Sequence, residues 1–121
     1  MPRVLVIDDD ENVLSLIRKM LERAGYEVLE APDGRKGIGI CQSRHVDLVI
    51  TDIIMPEMEG LEVIIGLRKE LPYLKIIGMS GGARLQPGDY LNLACALGAN
   101  RTLTKPFERE ELLEVVRELV E

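Results

Sequence analysis

Nothing in this chain of 121 residues approaches the ~18 consecutive apolar residues that a membrane span requires. The opening MPRVLVIDDD is too short in apolar residues ahead of its charges to be a secretory signal. Cysteine is scarce: Cys41 and Cys95 stand without CxxC or Cys/His spacing, which argues against a zinc or redox centre and for two small core hydrophobes in a reducing compartment. A cytoplasmic location is therefore expected. The fifteen Lys and Arg form no stripe and are outnumbered by 21 Asp and Glu, for a formal net charge of −6. Direct nucleic-acid binding is not expected from such a distribution, and the partners should be proteins. Low-complexity tracts, internal repeats and linker-like composition are also missing. What remains fits one compact domain over 1–121, long enough to bury roughly two-thirds of its unfolded surface without disulfides or structural metals.

The residues that are present alternate between two periods. Short apolar runs at 3–8 (RVLVID), 26–31 (YEVLEA), 47–52 (DLVITD), 74–80 (LKIIGMS) and 100–105 (NRTLTK) have the length and β-branched content of strands. The first, third and fourth are almost continuously apolar, as strands buried on both faces are. Between them, Val13, Leu16, Ile17, Met20, Leu21 and Ala24 recur at helical spacing, with Gly25 placed to close a helix over 11–24. Leu61, Ile64, Ile65, Arg68 and Leu71 mark a second stripe ended by Pro72, and Leu112, Val115, Val116, Leu119 and Val120 mark the last. Two further helices, 34–44 and 87–97, are expected to fray: Gly37 and Gly39 each cost roughly 1 kcal/mol relative to Ala in the first, and the second opens with Pro87. A strand-helix unit repeated five times predicts an α/β fold, a doubly wound parallel five-stranded sheet of flavodoxin-like (βα)5 type. Ligands of such sheets bind beyond the carboxyl ends of the strands.

That edge is chemically unusual. The first strand ends at Asp8 and Asp9, the third at Asp52, the fourth at Ser80 and the fifth at Lys105, so three carboxylates, a hydroxyl and an ammonium converge. Asp10 has a plain role at the start of the first helix, where acidic groups are favoured. Asp8 and Asp9 cannot both cap that helix, and Asp52 belongs to another strand, so a bound cation accounts economically for the cluster. An all-oxygen set with few protein ligands suits Mg²⁺, which keeps waters and takes one or two carboxylates; Ca²⁺ wants more protein oxygens.

VLVIDDDENV, VITDIIMPEMEGLEVI, IIGMSGG and GANRTLTKPF, in this order, resemble the receiver domain of two-component response regulators across essentially the whole chain. The resemblance implies a phosphorylation switch, not an enzyme acting on a separate substrate: self-catalysed transfer of a phosphoryl group to Asp52, then slow autodephosphorylation. It implies a phosphohistidine donor on a histidine kinase or phosphotransfer protein, and an output through altered binding of a downstream protein. It makes Asp9 a direct Mg²⁺ ligand, Asp8 a ligand through water and the main-chain carbonyl of Ile54 a further one. Ser80 would donate to a phosphoryl oxygen, Lys105 would pair with Asp52 and then with the phosphoryl group, and Pro106 would follow a cis peptide. Metal, lysine and hydroxyl around an ionised carboxylate suffice for phosphoryl transfer, which depends on positioning and charge neutralisation.

The chain departs from the receiver pattern at three places. Of the two switch positions, Ser80 and Thr102, Thr102 stands where receivers place Tyr or Phe and lacks the volume for the usual aromatic switch. Phosphorylation is therefore expected to act through Ser80 mainly on residues 81–90 and the start of the following helix, leaving the Thr102 rotamer largely unchanged. The stretch from Ser80 to Lys105 is a few residues longer than is common, and Ile54 crowds the path of attacking water. His45, the single histidine, reads as a solvated loop residue. Three rivals remain: a phosphate-independent pseudo-receiver, against which the intact Asp8, Asp9, Asp52, Ser80 and Lys105 argue; a flavodoxin-like cofactor binder, whose phosphate DDDENV would repel; and a Mg²⁺-dependent phosphohydrolase, for which TDIIM offers no extra acid or base.

Overall fold

The computed structural model describes residues 1–53, 60–80, 95 and 98–121. Within them the chain forms β1 (Arg3–Ile7), α1 (Glu11–Arg23), β2 (Glu27–Ala31), α2 (Gly34–Ser43), β3 (Leu48–Asp52), α3 (Gly60–Glu70), β4 (Lys75–Ser80), β5 (Arg101–Thr104) and α4 (Arg109–Val120). The helix expected over 87–97 lies mostly outside the described residues. Every strand pairing is parallel, and the order across the sheet is β2-β1-β3-β4-β5. The reversal of direction falls between β1 and β3, where the ends of the two central strands face the same side.

Alternation along the strands divides the core in two. Leu5, Ile7, Val49, Ile53 and Ile76 face α2 and α3, whereas Val4, Val6, Leu48, Ile50, Ile77 and Met79 face α1 and α4. β1 and β3 carry almost no exposed residue, which is why their sequences lack a polar alternation. Helix α1 sets Leu14, Ile17 and Leu21 on the second face; each such burial stabilises by roughly 1.5–3 kcal/mol. Leu16, assigned to the apolar stripe from its spacing, is 54% exposed, and Leu14 takes its place. In α3 the buried face is Leu61, Val63, Ile64 and Leu67, with Ile65 turned outward. Spacing fixed the period of both helices but misplaced the stripe by part of a turn, since a half-apolar helix leaves the centre of its stripe to its neighbours.

Local chemistry sets the helix ends. Asp10 caps α1, its carboxylate accepting from Asn12 N at 2.8 Å, and Asp33 caps α2 by accepting from Lys36 N at 2.9 Å. At the far end of α1, Gly25 takes φ +94° while its amide donates to Glu22 O and that of Tyr26 to Leu21 O, the paired bonds that close a helix on a left-handed residue. Gly37 sits over Ile7, and a Cβ there would overlap the Ile7 side chain, whereas nothing lies within 4 Å of one at Gly39. The helix-weakening Gly37 therefore permits close packing of α2 on β1. Arg68, counted from its spacing as part of an apolar stripe, instead donates to Gly98 O at 2.8 Å, Pro72 O at 2.7 Å and Asn100 Oδ1 at 3.0 Å, tying α3 to the entry of β5.

Candidate functional site

The carboxyl ends of β1, β3 and β4, with the residue after β5, bring the acidic cluster together. Asp8 is fully buried, Asp52 is 8% exposed, Ser80 is buried, and Asp9 is open to solvent. One ligand oxygen each from Asp8, Asp9 and Asp52 lies within 4.8 Å of the other two. Three like charges so close demand compensation. Part of it comes from Lys105, whose ammonium donates to Asp8 Oδ2 at 2.8 Å and to Asp52 Oδ2 at 3.2 Å. The other oxygen of Asp8 accepts the Asp10 amide at 2.9 Å, so this buried carboxylate is bonded on both sides.

Backbone pairing aims the lysine. Ser80 O accepts from Lys105 N at 2.8 Å, extending the β4-β5 ladder one step past Thr104, and the Lys105–Pro106 peptide is cis, as the resemblance implied. Burial alone would pull the Lys105 ammonium toward lower pKa; the hydrogen bond to Asp8 and the charges of Asp52 and Asp8 outweigh it, and the pKa ends above its ordinary value. The lysine is thus firmly charged. With the three carboxylates at −3 and Lys105 at +1, the formal charge left over is −2, and the donors are all oxygen. A small hard divalent cation fits this set.

Sequence reasoning placed Asp8, Asp9, Asp52, Ser80 and Lys105 at one sheet edge, and the structure brings them there. The expected pair of Lys105 with Asp52 is present, and the structure adds a second, closer partner in Asp8. Thr102 lies within β5, half-buried and opposite Gly78 of β4, two residues short of the strand end. Ile54 and residues 81–90 lie outside the described residues. Cys41 is buried, and burial pushes its thiol up to about 11, but Cys95 is exposed and is no core residue. His45 is exposed, as expected, and its Nε2 lies 2.9 Å from Asp47 Oδ1.

Two residues given no individual role from the sequence touch the main chain of Asp52. The Thr51 hydroxyl donates to Asp52 O at 3.0 Å, and Gly60 packs against the same carbonyl so closely that a Cβ would overlap it. The available signals were weak: a hydroxyl inside an otherwise apolar strand, and a glycine at the head of a helical stripe.

The profile of the response regulator receiver domain matches residues 4–117. The chain is 36% identical to the DNA-binding dual master transcriptional regulator RpaA of Synechocystis, over 99% of this chain and 49% of that protein. Among solved structures, a response regulator receiver domain protein from Clostridium thermocellum superposes with a TM-score of 0.91 at 30% identity, covering 99% of this chain and 94% of that one. The response regulator TrrA of Thermotoga maritima, solved with Mg²⁺ and beryllofluoride, gives 0.87 at 35% identity, covering 98% and 99%. The chain spans about half the length of the curated transcriptional regulators it matches. No helix among the described residues is long and apolar enough to cross a membrane. The profile match extends over nearly all of the chain, including every strand end that carries the acidic cluster, and the chain belongs to the response regulator receiver domain family.

Proposed function

We propose that this domain, spanning 1–121, is a phosphorylation switch in which Asp52 accepts a phosphoryl group from a phosphohistidine on a histidine kinase or phosphotransfer protein. The observation that carries the reading is the placement of Lys105 against both Asp8 and Asp52, beside a third carboxylate, at the carboxyl edge of the sheet. In the transfer, an Asp52 oxygen forms the new P–O bond while the P–N bond to the donor imidazole breaks and its electron pair returns to the ring. No general base takes part, because the nucleophile is an ionised carboxylate.

Asp8, Asp9, Asp52 and the main-chain carbonyl of Ile54 are the residues that would hold Mg²⁺, which when bound neutralises charge spread over the phosphoryl oxygens. Lys105 is already charged and bonded to Asp52, so it moves from carboxylate to phosphoryl oxygen over a short path. The buried Ser80 hydroxyl, at the end of the strand beside Asp52, donates to another phosphoryl oxygen. Asp52 carries the phosphoryl group and the domain catalyses its own transfer and slow loss. The signal leaves as altered binding of a downstream protein in the cytoplasm, with neither nucleic acid nor membrane contacted by this domain. The complete set of Asp8, Asp9, Asp52, Ser80 and Lys105 favours this reading over a phosphate-independent module.

Intact-mass spectrometry of the protein incubated with acetyl phosphate and Mg²⁺ tests it. The expected result is one labile phosphoryl adduct that disappears in Asp52→Asn and on chelation; an adduct of equal yield in Asp52→Asn would overturn the assignment.

A further inference from the structure

The last two residues of β3 differ in kind from the three before them. Leu48, Val49 and Ile50 are apolar; Thr51 is polar and as fully buried as they are. Alternation sets Thr51 on the α2/α3 side of the sheet with Val49 and Ile53, away from the carboxylates. A hydroxyl in that apolar layer must find an acceptor. It finds the main-chain carbonyl of Asp52, 3.0 Å away.

The same peptide unit is held from other directions. Gly60, the first residue of α3, leaves no room for a side chain: a Cβ would overlap Asp52 O and lie 2.7 Å from Asp52 C. The Ile53 amide, the other half of that unit, donates to Met79 O at 2.9 Å, and the Gly60 amide donates to the next carbonyl along, Ile53 O, at 2.7 Å. The plane after Asp52 is thereby bonded to β4 on one edge and pressed between Thr51 and α3. Because that plane is held, the torsion about the Asp52 Cα–C bond sets the direction in which the Asp52 Cβ leaves the Cα, and a change in it would swing the carboxylate relative to β4 and α3. The carboxylate on that Cα must meet Asp8 and Asp9 within 4.8 Å and Lys105 at 3.2 Å, tolerances that a small rotation would exceed.

We propose that Thr51 and Gly60 are positioning residues that clamp the peptide following Asp52, the hydroxyl by bonding its carbonyl and the glycine by the close approach that only a missing side chain allows. They touch neither metal nor phosphoryl group and act through the Asp52 backbone. The inference rests on the phosphoacceptor reading of Asp52.

Thr51→Val removes the hydroxyl at nearly constant volume, and Thr51→Ser keeps it. Mg²⁺ affinity from amide-shift titration, the initial rate of labelling by acetyl phosphate at saturating Mg²⁺, and the urea midpoint in chelator are measured for both variants and for the wild type. Thr51→Val should bind Mg²⁺ about fivefold more weakly, the scale of one neutral hydrogen bond, and label correspondingly more slowly, while Thr51→Ser stays within about twofold of wild type. A hydroxyl that merely satisfies itself would lower the urea midpoint and leave Mg²⁺ affinity alone. A measurement on the unaltered protein needs no variant to fold: by reciprocity, Mg²⁺ must tighten the clamp and slow exchange of the Gly60 amide more than that of Lys36, which is bonded to Asp33 away from the site. Equal Mg²⁺ affinity in Thr51→Val and wild type, equal losses in Thr51→Val and Thr51→Ser, or a Gly60 amide indifferent to Mg²⁺ overturns the clamp. A wild type that neither binds Mg²⁺ nor takes the phosphoryl group overturns instead the reading beneath it.

Discussion

Lys105 and Asp8, 97 positions apart in sequence, meet at 2.8 Å, closer than Lys105 meets Asp52. The fully buried Asp8 carboxylate is thus the main anchor of the ammonium, and the candidate phosphoacceptor shares it.

Removing the lysine should therefore cost stability through Asp8. Breaking a buried pair leaves an uncompensated charge, a loss of about 3–5 kcal/mol when both partners are enclosed. Lys105 keeps 21% of its side chain exposed, so Lys105→Met should lose about 2 kcal/mol at neutral pH. Because the folded-state pKa of Lys105 is raised, its contribution is complete below the unfolded value of ~10.4 and is lost as pH climbs through the higher folded value. Urea midpoints should differ between wild type and variant at neutral pH and converge at strongly alkaline pH; a gap that is constant with pH would contradict the ion-pair account.

Asp9 and Asp10 should separate cleanly. Asp10 accepts the Asn12 amide as the cap of α1, so Asp10→Ala should cost about 1 kcal/mol of stability and leave Mg²⁺ affinity nearly unchanged. Asp9 is exposed and contributes a ligand oxygen to the cluster, so Asp9→Ala should weaken Mg²⁺ binding at least tenfold with little loss of stability in chelator. Titration calorimetry with Mg²⁺ and thermal unfolding in EDTA provide both readings. A larger affinity loss for Asp10→Ala than for Asp9→Ala would reverse the two roles.

The glycines of α2 offer a second contrast. Gly39→Ala meets open space and should stabilise by about 0.5–1 kcal/mol, the helix-propensity difference. Gly37→Ala drives a methyl into the wholly buried Ile7, 2.8 Å from its Cγ1, and should destabilise by about 1 kcal/mol or more. Denaturant midpoints decide; stabilisation by both substitutions would mean that α2 does not pack tightly on β1.

The end of β1 was legible because period and polarity change together on adjacent residues, at Ile7–Asp8. In a parallel sheet every carboxyl end lies on the same edge, which is why Asp8, Asp9, Asp52, Ser80 and Lys105 converged as expected. Less legible was anything set by the third dimension. Arg68 occupies a stripe position and yet reaches the carbonyls of Pro72, just past its own helix, and Gly98, ahead of β5, a use of its long donor fork that no spacing encodes. Tyr26 bonds Glu121 at 2.9 Å across 95 positions. Gly60 stood in a quoted motif with no assigned role, because its requirement is the distance between two backbones, and the preference of Lys105 for Asp8 depends on how far β1 extends beside β3. Residue types reveal which groups meet; backbone approach decides how closely.

Amide spectra of the wild type and Asp52→Asn, titrated with beryllofluoride in the presence of Mg²⁺, test the central claim most directly, because this phosphoryl mimic is not lost by hydrolysis of a labile acyl phosphate. The account predicts saturable shifts at residues 8, 9, 52, 53, 80 and 105 in the wild type, dependent on Mg²⁺, and none of them in Asp52→Asn. Shifts of the same size in both proteins, or a wild type without any, would contradict the assignment of Asp52 as the acceptor.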